Sequence, residues 1–429
     1  MWRIVRRVLI VALALVASGA GGWWLYGGRA RERFEARVAA LRAAGQPTRF
    51  EDFETPPIPD NENGAKLLEE AARVLDEIEK AHRNADGLLL NDEHNDADRL
   101  EIAAYLDALA PYFKLLEQIP QRPGWRPDVD WSKGFEVMSC PIAEVHDADR
   151  LLAARAEFDL EPEGRTERTA ATAVLIMDLG QRCGGRGMIG HLVPWTITWH
   201  AVEVLRKATR EPGFDAAAFR RIVDPKLAAV IPDRGPPASM FVDERVYVVA
   251  LLGIIDSGNV SKEFRGLFED RFGSPFLYRP GLYKSAATWL DLAEEAIRRA
   301  GTSPEDAIEV GASFHSRYPR STGGYDLVNG EGAMYGRVFS KYAQYAASLR
   351  LARVVMALLE HRQTKGAWPE SLADIGEMPT DPYSGKPFLY ERTEHGCKVR
   401  SAREDTEENL ESDNLLWTLD DDQIPAMPR

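Results

Sequence analysis

Hydrophobic and polar positions fall into three regimes along the chain. The first is an uncharged run from residue 8 to residue 28, VLIVALALVASGAGGWWLYGG, preceded by MWRIVRR with Arg3, Arg6 and Arg7. A run of roughly 20 residues can cross a bilayer as a helix. Trp23, Trp24 and Tyr26 stand where an interfacial aromatic belt lies. The pattern predicts a transmembrane anchor over residues 1–28. The competing reading is a cleaved signal peptide, with residues 8–17 as its apolar region and Ser18-Gly19-Ala20 as the small-residue cleavage site. No cysteine follows the run, which excludes a lipoprotein. The three leading arginines favour an N-terminus inside, whereas Arg29, Arg31, Arg33 and Arg37 weaken the positive-inside contrast.

The second regime is helical. RARERFEARVAALRAAG extends the anchor as a charged stalk, with Phe34, Val38 and Leu41 on one narrow apolar stripe. PPIPDNENG then forms a proline-rich linker, and Asp60 or Asn61 is expected to cap the next helix. AKLLEEAARVLDEIEKAH sets Leu67, Leu68, Ala71, Val74, Leu75 and Ile78 on one face. Similar patterns follow to about residue 362, with Pro111 as an expected kink. In the last of them Val338, Tyr342, Tyr345, Leu349, Ala352, Met356 and Leu359 form one stripe. No 34- or 40-residue repeat stands out, so an irregular helical bundle or array is expected. SFHSRYPRSTGGYDLVNGEG, residues 313–332, lacks periodicity and reads as a long surface loop.

The third regime begins after Gln363. Gly366, Pro369 and Pro379 break the helix and turn the chain. FLYER and CKVRSA alternate with period two around a TEHG turn, and NLLWTL alternates again. These predict strands over 387–392, 397–402 and 414–419. Phe388, Tyr390, Cys397, Val399 and Trp417 make an apolar face that needs the preceding helix as cover. Glu370, Asp374 and Asp381 read as caps and turn formers rather than catalysts. The fold class is therefore mainly α, with an N-terminal transmembrane helix, an irregular helical bundle and a small C-terminal α+β module carrying a three-stranded antiparallel sheet. The expected division is 1–28 anchor, 29–60 stalk and linker, 61–336 helical domain, and 337–429 helix, sheet and acidic tail.

Gly366, Trp368, Pro369, Asp381, Pro382, Gly385, Pro387 and Tyr390 keep the order of a G-x-[YW]-P helix end and a D-P-x-x-G-x-P-[FY]-x-Y element. In this the C-terminal module resembles the globular part of type II secretion major pseudopilins, over roughly residues 337–420. The whole chain also looks like uncharacterised membrane-anchored proteins of planctomycete-type bacteria. The resemblance implies a helix-on-sheet head outside the cytoplasm and a calcium-binding C-terminal loop. Two departures stand against a full match. The N-terminus has no prepilin-peptidase motif. SAREDTEENLESDN keeps the weak calcium candidates Asp405, Asp413 and Asn414, but Arg403 and Thr406 stand where glycines would let the loop close on the ion.

Charge and cysteines narrow the functional classes. The 429 residues are 45% hydrophobic and carry a net charge of −14, which disfavours nucleic acid and broad docking on anionic lipid. Cys140, Cys183 and Cys397 lie far apart, so a cysteine zinc site is not expected, and a Cys140–Cys183 bridge is open if the domain is exported. The sharpest catalytic suspicion is His146-Asp147, which with His94 and Asp178 could supply the ligands of an HD-type metal hydrolase. His191 and His200 are nine apart and read as satisfied buried histidines, and Trp195 and Trp199 as mutually packed core. Asp243, Glu244 and Arg245 interrupt an apolar helix and suggest a buried pair or a pocket. CGGRG at 183–187 has no Lys-Ser/Thr ending and reads as a turn between helices. The leading expectation is a non-enzymatic protein of the inner membrane, single-pass, with its large domain on the extracytoplasmic side. It would bind or scaffold unidentified protein partners without a cofactor. The alternative is the hydrolase.

Overall fold

The computed structural model describes residues 2–82, 85–89, 95–132, 141–158, 165–211, 213–257, 275–318, 327–403 and 415–420. Only the backbone is described at 2–17, 20, 24, 85–86, 251, 254–257, 275–280 and 327–331. The chain is mainly helical and ends in a small antiparallel sheet. The helices are α1 (Trp2–Ala43), α2 (Gly64–Ala81), α3 (Ala85–Leu88), α4 (Asp96–Ala108), α5 (Ala110–Leu116), α6 (Ile142–Glu157) and α7 (Arg165–Arg182). They continue as α8 (Gly187–Ala208), α9 (Ala216–Val230), α10 (Ala238–Ser257), α11 (Pro275–Arg299), α12 (Pro304–Arg317) and α13 (Leu327–Lys365). Strands β1 (Leu389–Thr393), β2 (Gly396–Arg400) and β3 (Leu416–Asp420) follow in the order β1-β2-β3.

The apolar run of residues 8–28 lies within α1, a single unbroken helix. Among the described residues no helix is long and apolar enough to cross a membrane. The side chains of 2–17, which carry the first part of that run, lie outside the described residues, as does that of Trp24. The stalk is not a free one. Ala30, Phe34 and Val38 are buried against α11. In the linker the cap is Asn63, not Asp60 or Asn61. Its carboxamide oxygen accepts from Ala65 N at 3.1 Å and its Nδ2 donates to Arg126 O at 2.7 Å. Asn63 wins because it alone pairs with the chain at Gly124 while capping α2.

The sequence stripe of α2 is buried as expected at Leu67, Leu68, Ala71 and Leu75. Helix α13 exceeds its stripe. Leu351, Val354, Val355 and Leu358 are buried along with Leu349, Met356 and Leu359. Each such side chain withdrawn from water stabilises the fold by about 1.5–3 kcal/mol. The N-terminal half of α13 joins one apolar core with α1, α10, α11 and α12, and its C-terminal half joins another with α2, α5–α9 and the sheet. The 336/337 boundary therefore falls inside one continuous helix. Charges on α13 are met by neighbours: Arg353 holds Asp224 of α9 through two bonds of 2.6 and 3.2 Å, and Arg350 reaches Glu305 of α12 at 2.6 Å.

The loop expected over 313–332 is a correction. Residues up to Arg317 belong to α12 and those from Leu327 to α13, with 319–326 outside the described residues. A capping box at Ser303 and Asp306 starts α12. Gly332, inside that stretch, is a packing position where a Cβ would run into the Tyr318 ring, and Gly311 and Gly336 just outside it are others. A Cβ on Gly311 would lie 2.7 Å from Ser340 Oγ and 3.0 Å from Gly336 O, so the lack of a side chain there lets α12 and α13 approach closely.

The strands form close to their predicted places. Thr393 pairs with Gly396, leaving only Glu394 and His395 in the turn, tighter than TEHG suggested. Phe388, Cys397, Val399, Trp417 and Leu419 are buried on the face toward α13. The turn before β1 is organised by Asp381, which is fully buried. Its carboxylate accepts from Ser401 Oγ at 2.9 Å, Ala402 N at 2.7 Å and Tyr383 N at 3.1 Å, which ties 381–387 to the end of β2. Tyr390 Oη donates to Pro369 O at 2.8 Å. These acids and aromatics act as turn formers.

Candidate functional site

Helices α6 and α8 cross close to α7, and the sequence gives each the same polar stripe. His146, Asp149, Arg150 and Ala153 on α6 stand at i, i+3, i+4 and i+7, as do His200, Glu203, Val204 and Lys207 on α8. That spacing puts each set on one helix face. The opposite side of α6 is apolar: Val145, Ala148, Leu151 and Leu152 are buried, which turns the polar stripe outward. Between the two stripes opens a cleft of about 670 Å³. Its walls also take Leu89, Phe158 and Phe214.

Continuity of α8 is required to bring His200 here, and Pro194 lies in its path. Proline has no N–H for the carbonyl four residues back. Gly185 N donates to that carbonyl, Gly190 O, at 3.0 Å, so the group stays satisfied and α8 runs on to Ala208. The CGGRG segment is thus the α7–α8 turn. Gly187 opens the helix at φ +72°, where a Cβ would lie 2.8 Å from the Tyr247 ring.

At the centre of the cleft Asp149 and His200 are bonded through carboxylate Oδ2 and imidazole Nδ1. Asp149 is 2% exposed, whereas the His200 side chain keeps 43% of its surface open. Burial pushes the Asp149 carboxyl above its ordinary range, against the opposing pull of His200 and His146. The hydrogen bond to Asp149 raises His200, with burial opposing and the Asp149 and Glu203 charges assisting. Asp149 Oδ1 is buried with no hydrogen-bond partner among the described residues. Two ion pairs cross the rim, Lys207 to Glu157 at 2.6 Å and Arg165 to Glu211 at 3.1 Å.

The predicted site residues are dispersed. His146 lines the cleft, but Asp147 does not; its carboxylate lies 3.6 Å from Arg150 on the same helix. Adjacent residues on a helix point about 100° apart, which separates the pair. Asp178 receives Lys226 Nζ at 2.6 Å and is not part of the lining. His94, Cys140, Asp405, Asp413 and Asn414 lie outside the described residues. Among the described residues no group of three or more His, Cys, Asp or Glu is placed to hold a metal ion. Cys183 is buried at the end of α7.

His191 is satisfied as expected, with Nε2 3.3 Å from Asp243 Oδ2. His200 is satisfied as expected, by Asp149, but its side chain is partly open, which corrects the buried part of the reading. Trp195 is only partly buried and packs on Tyr342 and Tyr345 of α13, at 4.7 and 6.2 Å between ring centroids. Asp243 accepts from Gly187 N and Arg186, both at 3.3 Å, and so fixes the start of α8. Arg245 reaches Gln46 at 3.1 Å, and its burial lowers its pKa. The Asp243-Glu244-Arg245 group is a pin between α8, α10 and the end of α1. The signal that sequence reasoning passed over was the matching of two stripes 54 residues apart, His146 to Arg150 and His200 to Val204, which gains meaning only when α6 faces α8.

No family model matches the chain, and neither a curated protein nor a solved structure matches it.

Proposed function

We propose that this is a membrane-anchored binding protein of the cell envelope whose ligand seat is the cleft between α6, α7 and α8. The observation that carries the reading is the cleft itself, about 670 Å³, where Leu89, Phe158 and Phe214 share the wall with charged residues around the Asp149–His200 pair, whose carboxylate is buried and whose imidazole is open. Ligand sites combine an enclosed apolar volume with a few convergent polar groups. The ligand class is a compound with an apolar body and one polar head, the head meeting His200. The uncharged run at 8–28 supports single-pass insertion through α1. The pseudopilin-like order of residues 366–390 supports a body on the extracytoplasmic side.

The test uses the full chain in lipid nanodiscs with anilinonaphthalene sulfonate, a dye with an apolar body and an anionic head. Dye binding should be lost in Ala153→Trp, which fills the cleft, with the circular dichroism spectrum unchanged. Equal binding by the filled variant defeats the assignment. For topology, a C-terminal reporter fusion should be active outside the cytoplasm, and activity confined to the cytoplasm defeats that part.

A second reading is a metal-dependent hydrolase of HD type using His146 and Asp147, favoured by the position of His146 on the cleft wall. Metal analysis separates the two. Stoichiometric transition metal in the purified protein, lost in His146→Ala, would establish the hydrolase reading, and a metal-free active binder would remove it.

A further inference from the structure

The junction between α1 and the helical body carries a consequence for how the body meets lipid. Among the described side chains of α1 the first buried one is Ala30, two positions after the uncharged run ends at Gly28. Phe34 and Val38 follow on the same face. The Phe34 ring packs edge-on against Tyr283 of α11 at 5.8 Å, and the Arg31 guanidinium lies 5.8 Å from the same ring. Arg37 pairs with Asp291 and with Glu294, the latter at 3.4 Å. Contacts therefore climb α1 and α11 together, 31 and 34 beside 283, then 37 beside 291 and 294. The two helices are therefore parallel where they meet.

The axial rise places these groups. At 1.5 Å per residue Arg31 stands roughly 4.5 Å beyond Gly28 and Phe34 roughly 9 Å beyond it. Each headgroup layer is about 5–8 Å thick. Tyr283, in contact with both residues, is level with that layer or just above it. The side chains around it suit such a place. Leu25 is 62% and Tyr26 40% exposed, an uncovered apolar stretch one turn before the body begins. Arg29, Arg33 and Lys284 are exposed around the exit of the helix, beside Glu32 and beside Glu35, which is paired with Arg31 at 2.7 Å. This cationic group is local and sits on a chain whose net charge is −14, so the attraction belongs to this face and not to the molecule at large.

We propose that the body docks directly on the phospholipid headgroup layer through the α1–α11 pair, with Arg29, Arg33 and Lys284 on lipid phosphates, and does not stand off on a flexible tether. This rests on the anchor reading of residues 8–28. The consequence is a body of fixed height and orientation above the bilayer.

The experiment places a photo-crosslinking benzoylphenylalanine at position 284 of the full chain, reconstituted in vesicles of phosphatidylethanolamine and phosphatidylglycerol. Illumination should give a lipid adduct at that position. A second variant carries a flexible insert of roughly 12 Gly and Ser residues after Gly28, with a root-mean-square span of roughly 20 Å. It should stay with the vesicles through an alkaline wash and lose the adduct. Retention of the native-length chain without an adduct overturns the docking and leaves the anchor standing. Loss of the chain from the vesicles overturns both. An adduct undiminished by the insert also overturns the proposal, because docking would then not depend on the rigid α1–α11 junction.

Discussion

The guanidinium of Arg206, in the last turn of α8, lies 4.7 Å from the ring centroid of Trp417 on β3. This contact joins the C-terminal sheet to the helix that carries His200. Trp417 is 3% exposed and belongs to the same core as Leu349, Met356 and Leu359. Sheet and cleft thus share a support.

Trp417→Ala should cost about 3–5 kcal/mol, the usual range for deleting a buried indole. Because the core is continuous from α2 to β3, the loss should appear as a lower urea midpoint for the main helical transition. Far-UV circular dichroism during urea titration checks this. A separate early transition confined to the sheet, with the helical midpoint unmoved, would contradict it.

Asp381→Ala should remove the acceptor for Ser401 Oγ and Ala402 N. A buried donor left unsatisfied costs about 1–3 kcal/mol. Limited proteolysis should then cut within 379–388, whereas Asp374→Ala, on an exposed turn, should leave the pattern unchanged.

Gly187→Ala tests the α7–α8 turn. A side chain there is strained at φ +72° and meets Tyr247 at 2.8 Å. The expected cost is about 1–3 kcal/mol. Gly184→Ala is the control, since its Cβ would find its nearest neighbour at 3.8 Å. Thermal midpoints of the two variants should differ in that order.

The Asp149–His200 pair predicts a pH dependence with a definite sign. His200 is raised above its ordinary 6.5 by its bond to Asp149. Its stabilising contribution is then complete below pH 6.5 and fades as pH rises through the higher folded-state pKa. The difference in thermal midpoint between wild type and His200→Asn should shrink across that alkaline interval. Glu203, whose charge also raises His200, contributes to the difference with the same sign, and His146 acts on Asp149. A difference that grows with pH would refute the assignment.

Much of the fold was legible in the chain because it depends on local spacing. Leu67, Leu68, Ala71 and Leu75 share a helix face whatever lies opposite, and Cys397 and Val399 share a sheet face for the same reason. The turn chemistry of 366–390 was likewise readable, since Asp381 and its prolines act within a short span. Other features were misread. A glycine such as Gly332 looks the same in sequence whether it lies in a loop or lets a helix take a neighbouring ring against its backbone. The cap of α2 fell to Asn63 because Gly124 pairs with it, a partner 61 residues away.

By itself the sequence determined the helix faces, the three strands, the uncharged run and the α7–α8 turn, because each follows from the geometry of neighbouring residues. Only the tertiary structure decided that α6 faces α8, that Asp149 rather than Asp147 meets His200, and that α1 lies on α11. Those choices turn on which surfaces fill one another across tens or hundreds of residues. A helical period of 3.6 tells which side chains share a face, and packing alone selects the face that each one meets.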